Sequence, residues 1–154
     1  MSMKDINLNR ALGFSLILYI GTLLIFGVLS AIFRFFADSS VIHTPVLQYV
    51  VYWIVFIFLI LILSKWYFRK LQPSAKRGVI LGICAVIVSI ILDVVSIFFT
   101  TTQGTSFAWA LREIYTSWTF YVTIVLLIAT TAYAGFEFDR TYTFDETGLN
   151  KKSK

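Results

Sequence analysis

Four long apolar stretches constrain this chain more than any other feature of its sequence. They cover residues 11–33, 46–63, 78–99 and 118–135, and Asp93 is the one charged residue inside them. A helix needs roughly 20 apolar residues to cross a bilayer. Helices also satisfy their own backbone hydrogen bonds in lipid, which an open sheet does not. The sequence therefore predicts an all-α integral membrane protein with four transmembrane helices.

The composition supports this class and excludes several others. Apolar residues of the AVILMFWYC set make up 58% of the chain, and charged residues make up 14%. Soluble domains are about 45–50% apolar and about 25% charged. The chain also has one cysteine, Cys84, which we expect to pack as a small apolar side chain. These features exclude a disulfide-stabilised secreted scaffold, a disordered chain and an ordinary soluble enzyme.

The distribution of Lys and Arg predicts the orientation of the spans. All of the 13 basic residues except Arg34 and Arg112 lie in the N-terminal tail, the loop between the second and third spans, or the C-terminal tail. Because cytoplasmic segments are enriched in Lys and Arg, both termini are expected to be cytoplasmic. The first apolar stretch is longer than a signal-peptide core of about 7–15 residues, so we expect it to remain as the first helix. The charge bias is typical of a bacterial or archaeal plasma membrane.

Short loops and interfacial aromatic residues define the predicted architecture. Trp66 and Tyr67 extend the second span, because such residues favour the membrane–water interface. The loops that precede the second and third spans are short, so these helices are expected to form an antiparallel bundle. We predict one domain over residues 1–154, with a cytoplasmic tail at 137–154 and spans at about 11–36, 46–67, 78–99 and 116–136.

The outer loop before the fourth span contains a pattern typical of a short amphipathic helix. Phe107, Leu111, Ile114 and Trp118 follow one another at spacings of four, three and four residues, which places them on one helical face. Ser106 precedes them as a suitable N-cap residue. This helix is expected either to cover the outer end of the bundle or to act as a lid over a ligand.

Aromatic residues alternate with polar residues in the C-terminal tail. Phe136, Phe138, Tyr142 and Phe144 carry this pattern, which has the period of a strand. One interpretation is an interfacial aromatic belt followed by a frayed tail. The other is an extended segment that docks on a partner protein.

Asp93 is the candidate functional residue of the predicted membrane domain. A carboxylate near the middle of a span costs about 2.5–3.5 kcal/mol on insertion scales, so such residues normally face protein or water. A rise of about 1.5 Å per residue puts Asp93 about 9 Å inside the outer end of its helix. A stripe of small and polar residues continues its face and predicts a helix-packing surface: Gly78, Gly82, Ala85, Ser89 and Ser96.

Two interpretations of Asp93 follow from its expected neighbours. Arg34 could reach it from the end of the first helix and form an ion pair. The alternative partners near the outer end of the fourth span are Arg112, Thr119 and Thr123. A polar seam could also include residues of the first span, which are Ser15, Tyr19, Thr22 and Ser30. Asp93 is then either a paired packing residue or a protonatable or cation-binding site.

The remaining polar residues predict surface roles rather than a metal or cofactor site. Five basic residues of the inner loop are expected to contact anionic lipid headgroups: Lys65, Arg69, Lys70, Lys76 and Arg77. His43 has no nearby cysteine or paired carboxylate, so we predict no metal site and no cofactor. Nucleic-acid binding is not expected, because membrane topology alone accounts for the basic residues.

These patterns leave three classes of function. The chain lacks a phosphate loop, a paired-carboxylate motif and a nucleophile beside a histidine, so no catalytic residue is predicted and an enzyme is the least supported class. The leading hypothesis is a non-catalytic membrane module, an accessory, assembly or regulatory subunit that binds lipid, a partner membrane protein or a second copy of itself. The alternative is a small proton- or cation-coupled transporter or channel subunit that uses Asp93 as a dimer.

Overall fold

The computed structural model describes residues 8–37, 45–69, 73–100 and 106–149. All regular secondary structure in these ranges is helical, which confirms the all-α part of the predicted fold class. The five helices are α1 (Leu8–Ala37), α2 (Pro45–Phe68), α3 (Ala75–Thr100), α4 (Phe107–Thr116) and α5 (Trp118–Leu149). His43 and Lys70, for which roles were predicted, lie outside the described residues.

Four helices are long and apolar enough to cross a membrane. Their candidate spans are Leu8–Phe35, Val46–Phe68, Ala75–Phe99 and Trp118–Phe138. Many of their large apolar side chains point away from the bundle; Leu24, Ile62 and Phe98 are 65%, 66% and 68% exposed. Contiguous apolar surface of this kind is rare on soluble monomers. The chain is therefore a helical protein with the architecture of a multi-pass membrane protein.

Residues at the helix ends account for where the helices begin. Pro45 is the first residue of α2, where its missing N–H costs no helical hydrogen bond. Ser74 caps α3, since its side-chain oxygen accepts a 3.2 Å hydrogen bond from the backbone N–H of Arg77. Ser106 holds the predicted N-cap position of α4 in an extended conformation, but its side chain makes no capping bond. Ser117, also extended, separates α4 from α5.

The core is a column of apolar side chains shared by α1, α2, α3 and α5. Phe14 of α1 and Ile60 of α2 are fully buried, and Leu81 of α3 is buried beside them. Leu127 contributes from α5 to the same cluster. Each buried side chain of this size contributes through close packing, because lipid chains are as apolar as the protein interior.

Three glycines bring α3 and α5 into close contact. A Cβ atom at Gly78 would overlap the backbone carbonyl oxygen of Thr131, and one at Gly82 would lie 2.5 Å from Thr131 Oγ1. On the facing helix, a Cβ atom at Gly135 would overlap the carbonyl oxygen of Ser74. The two backbones therefore approach more closely than any side chain at these positions would permit, as in small-residue membrane interfaces.

The C-terminal aromatic pattern does not correspond to a strand. Helix α5 continues through residues 136–149, so the docking strand considered from the alternating aromatics is wrong. Phe138 instead packs against Phe68 of α2, with ring centroids 6.4 Å apart. Each residue that extends a formed helix adds one backbone hydrogen bond. Four alternating aromatic residues provide no comparable stabilisation for a lone strand.

Candidate functional site

A cavity of about 450 Å³ lies between α1, α2, α3 and α5, with α4 contributing part of its wall. Ligand pockets in proteins commonly have volumes of about 300–1,000 Å³. The cavity is therefore large enough for a small organic molecule. It is also the place where the polar residues of the apolar helices come together.

Asp93 of α3 is half-buried and lines this cavity. The hydroxyl of Tyr19, on α1, donates a 3.0 Å hydrogen bond to Asp93 Oδ1. The same hydroxyl lies 3.3 Å from Ser96 Oγ, so Ser96 belongs to the same small polar cluster. Tyr19, rather than either arginine considered from the sequence, is the hydrogen-bond partner of Asp93 in the described part of the chain.

The two arginines expected near Asp93 lie elsewhere on the surface. The side chains of Arg34 and Arg112 are exposed, and neither lines the cavity. The second acidic residue of the cavity wall is Glu113 of α4. None of the described lining residues is Lys, Arg or His. Asp93 and Glu113 are thus the acidic groups of the described cavity wall, and in their ionised forms they would concentrate cations.

Aromatic rings form one wall of the cavity. Phe26 of α1 meets Tyr52 of α2 edge to face at a centroid distance of 5.8 Å. Tyr52 stacks on Phe56 at 5.6 Å, and Tyr49 lies 6.4 Å from Phe26. All four residues line the cavity. Aromatic faces carry negative electrostatic potential and attract cations, so this wall adds to the effect of the carboxylates.

Hydroxyl groups of α5 also line the cavity, including both threonines predicted from the sequence. Thr123 Oγ1 accepts a 3.1 Å hydrogen bond from Trp53 Nε1 of α2 and donates a 2.8 Å bond to the carbonyl oxygen of Thr119. The side-chain oxygens of Thr119 and Ser117 lie 2.6 Å apart. These hydroxyls are therefore held in place, mainly by their own helix, while they border the cavity.

Helix α4 lies close to the Asp93 cluster although none of its own residues is buried. Its residues Glu113 and Ile114 line the cavity. The hydroxyl of Tyr115 is buried and has no hydrogen-bond partner among the described residues. Burial raises the pKa of the Tyr115 phenol above its usual range, and the nearby Asp93 carboxylate raises this pKa further. A buried hydroxyl without a partner costs free energy, so a polar group that reached the Tyr115 hydroxyl would be bound favourably there.

The small-residue stripe on α3 divides into two parts with different surroundings. Gly78 and Gly82 contact α5 directly, and Ala85 is fully buried. Further along the same face, Ser89 and Asp93 line the cavity. The face predicted to pack against another helix therefore does so in its first half and borders open space in its second half.

Basic residues cluster around the other end of the bundle. Lys65 and Arg69 border a second hollow of about 300 Å³ beside Trp66. The guanidinium of Arg10 lies 5.7 Å from the centroid of the Trp66 ring. Lys76 is exposed and Arg77 is half-buried at the start of α3. In the described residues, no group of three or more His, Cys, Asp and Glu residues is arranged to hold a metal ion.

Sequence reasoning placed Tyr19 in a polar seam but did not identify it as the partner of Asp93. Glu113 and the aromatic wall of Phe26, Tyr49 and Tyr52 were not anticipated as site residues. The available signal was the spacing of three residues between Tyr49 and Tyr52, which places both rings on one face of α2. Comparison with protein-family models, curated proteins and solved structures finds no match.

Proposed function

We propose that this multi-pass membrane protein binds a cation at Asp93 and is a small proton- or cation-coupled transporter or channel subunit. The observation that carries the proposal is that Asp93 borders a cavity whose described lining includes a second carboxylate and no Lys, Arg or His. A half-buried carboxylate without a basic partner favours either a bound proton or a bound cation. Transport requires both the proton-bound and the cation-bound state of the carboxylate, because the site must take up each ion and release it again.

The proposed topology is an antiparallel bundle with both termini in the cytoplasm of a bacterial or archaeal type of cell. Contacts at both ends of α1 support opposite directions for α1 and α2. Near the start of α1, Arg10 lies over Trp66 of late α2. Near its end, Ser30 Oγ accepts a 2.8 Å hydrogen bond from Gln48 of early α2. The basic end of the bundle would then contact anionic lipid headgroups of the inner leaflet.

A homodimer is part of the proposal, because four helices provide few residues for a complete pathway across the membrane. A crosslinking experiment on the purified protein in lipid nanodiscs, analysed by mass, measures the number of copies. A monomer at physiological protein densities would remove the dimer from the proposal without affecting the cation site.

The test of the proposed function is a flux assay in proteoliposomes of the full chain. A pH-sensitive dye inside the vesicles reports proton entry after an imposed gradient, with Na⁺ or K⁺ varied on either side. Asp93→Asn is expected to lose the flux while it inserts and folds normally. Glu137→Gln is the matched control, since it removes one carboxylate that does not line the cavity. A folded Asp93→Asn protein with unchanged flux would contradict the proposal.

A second candidate function is the non-catalytic module, an accessory, assembly or regulatory subunit of a partner membrane protein. The observation that favours it is α4, where Phe107 and Trp109 remain 38% and 57% exposed in the isolated chain. Affinity purification from the native membrane, followed by mass spectrometry, separates the two candidates. A stoichiometric foreign partner supports the accessory subunit, and recovery of the chain alone supports the transporter.

A further inference from the structure

The size and chemistry of the cavity restrict the kind of cation it can hold. Hard metal cations such as Mg²⁺ and Ca²⁺ take six or more oxygen ligands at about 2.0–2.6 Å. A cavity of about 450 Å³ is far larger than such a coordination shell, and two carboxylates contribute to its wall. No described group of acidic, His or Cys residues is arranged around a metal. An inorganic ion would leave most of the cavity volume unused.

The aromatic wall indicates what kind of ligand would fill the cavity volume that an inorganic ion leaves unused. The ring of Phe26 contacts the rings of both Tyr49 and Tyr52, and Tyr52 continues the wall to Phe56. Quaternary ammonium groups and related organic cations bind against such faces, because their charge is diffuse and weakly hydrated. Apolar side chains such as Leu18 and Leu127 complete the cavity and would cover the apolar body of a ligand.

The positions of the two carboxylates indicate how many charges the ligand carries. Asp93 is half-buried in the apolar part of the bundle, where an ionised group is strongly favoured by a counter-charge. Glu113 belongs to α4 and is exposed, so solvent already screens its charge. One positive charge placed between Asp93 and the aromatic wall therefore satisfies the site, and Glu113 adds attraction at the approach.

We infer that the cavity at Asp93 binds an organic monocation with an apolar body, held by the Asp93 carboxylate and the aromatic rings of Phe26, Tyr49 and Tyr52 that line it. This inference rests on the proposed cation-binding function and specifies its ligand class. Asp93 supplies the charge recognition, and the rings supply contact area for a weakly hydrated cation. Tyr19 is a positioning residue, because its hydroxyl fixes the Asp93 carboxylate from the opposite helix.

The test uses the full-length protein in nanodiscs of uncharged lipid and a pair of ions matched in size. Tetraphenylphosphonium is the cationic probe and tetraphenylborate is its anionic counterpart. Equilibrium binding is measured for each ion, with empty nanodiscs subtracted to remove partitioning into lipid. The inference predicts saturable binding of tetraphenylphosphonium and no saturable binding of tetraphenylborate. Saturable binding of both ions alike would overturn it.

Four variants identify the binding groups. Asp93→Asn keeps the size of the side chain and is expected to weaken tetraphenylphosphonium binding about tenfold or more. Tyr52→Leu removes a ring and is expected to weaken it about threefold, whereas Tyr52→Phe keeps the ring and should bind as the wild type does. Glu137→Gln is the control for loss of a carboxylate elsewhere. Unchanged binding in both Asp93→Asn and Tyr52→Leu would overturn the assigned site.

The binding assay and the flux assay fail in distinguishable ways. If the wild type does not bind tetraphenylphosphonium but Asp93→Asn abolishes proton or Na⁺ flux, the organic ligand class is wrong and the cation function stands. If neither binding nor Asp93-dependent flux is found, both proposals are wrong. If tetraphenylphosphonium binds in an Asp93-dependent manner and inhibits an ion flux, the result supports both the cation function and the organic ligand class.

Discussion

The hydroxyl of Tyr19 donates a 3.0 Å hydrogen bond to Asp93 Oδ1 and thereby joins α1 to α3 beside the cavity. The two residues are 74 positions apart in the chain, so the bond depends on the packing of the bundle. A carboxylate can accept about four hydrogen bonds, so one phenol donor leaves capacity for contacts to a ligand. An arginine partner would have neutralised the same group and left a purely structural ion pair.

Breaking this bond is expected to lower the stability of the bundle by about 1 kcal/mol. Hydrogen bonds between transmembrane helices average about 0.6 kcal/mol, and those to charged groups reach about 1.5–3 kcal/mol in soluble proteins. Tyr19→Phe and Asp93→Ala each remove one partner of the bond and should each destabilise, and the double variant should lose less than the sum. Equilibrium unfolding in mixed micelles measures the three variants. Strictly additive losses would show that the two side chains do not interact.

The close approach of α3 and α5 predicts a strong dependence on glycine at position 78. Gly78→Ala places a methyl group against the Thr131 carbonyl oxygen, a backbone atom that cannot move without its helix. Overpacking of this kind typically costs about 1–3 kcal/mol. Gly27→Ala is the matched control, because a Cβ there meets nothing within 4 Å. It should keep or slightly raise stability, as alanine is the better helix former.

Thermal unfolding in detergent measures both glycine variants under the same conditions. A Gly78→Ala protein as stable as Gly27→Ala would mean that α3 and α5 are farther apart than described. Gly135→Ala offers an independent check from the facing helix, since its Cβ would overlap the Ser74 carbonyl oxygen. The expected order of melting temperature is Gly27→Ala above wild type or equal to it, with both contact variants below.

The hydrogen bond between Trp53 and Thr123 links α2 to α5 next to the cavity. Thr123→Val keeps the shape of the side chain but leaves Trp53 Nε1 without its acceptor, which is expected to cost about 0.5–1.5 kcal/mol. Thr116→Val is the control, because the Thr116 hydroxyl bonds the carbonyl oxygen of Arg112 in its own helix. Chemical unfolding followed by tryptophan fluorescence compares the two. Equal stability of the two variants would contradict an interhelical role for Thr123.

The helical class and the number of long apolar helices could be predicted because span length and composition depend on local sequence. The helix α4 was expected over 107–118 and ends at Thr116, since the extended conformation of Ser117 separates it from α5. For residues 136–144, the period-two aromatic pattern left a docking strand as one of two interpretations, and that one is wrong because the segment continues α5. The local sequence pattern therefore predicts which helices form better than it predicts the residues at which they end.

The surroundings of Asp93 could not be predicted to the same extent. The stripe from Gly78 to Ser96 shows which face of α3 is small and polar, but not where the opposing helices diverge. Arg34 was an expected partner on the basis of depth along the helix, and its side chain is exposed. The identity of Tyr19 as partner depends on the rotation and register of α1 against α3, which periodicity does not encode.

Water access to the cavity is the last prediction, and it is tested with single cysteines in a Cys84→Ala background. Ser89→Cys borders the cavity one helical turn from Asp93, whereas Ile87→Cys is on the exposed apolar surface of α3. Thiols react as thiolates, which form in water and are disfavoured in lipid. A charged methanethiosulfonate reagent should therefore modify Ser89→Cys and leave Ile87→Cys unmodified.

Because Asp93 attracts cations, the trimethylammonium reagent should react about tenfold faster than the sulfonate reagent, after correction for their rates with a free thiol. Asp93→Asn should remove this preference while Ser89→Cys remains reactive. If Ser89→Cys and Ile87→Cys react equally slowly, the cavity is dry, and a lipid chain or an apolar ligand becomes the better description of its occupant.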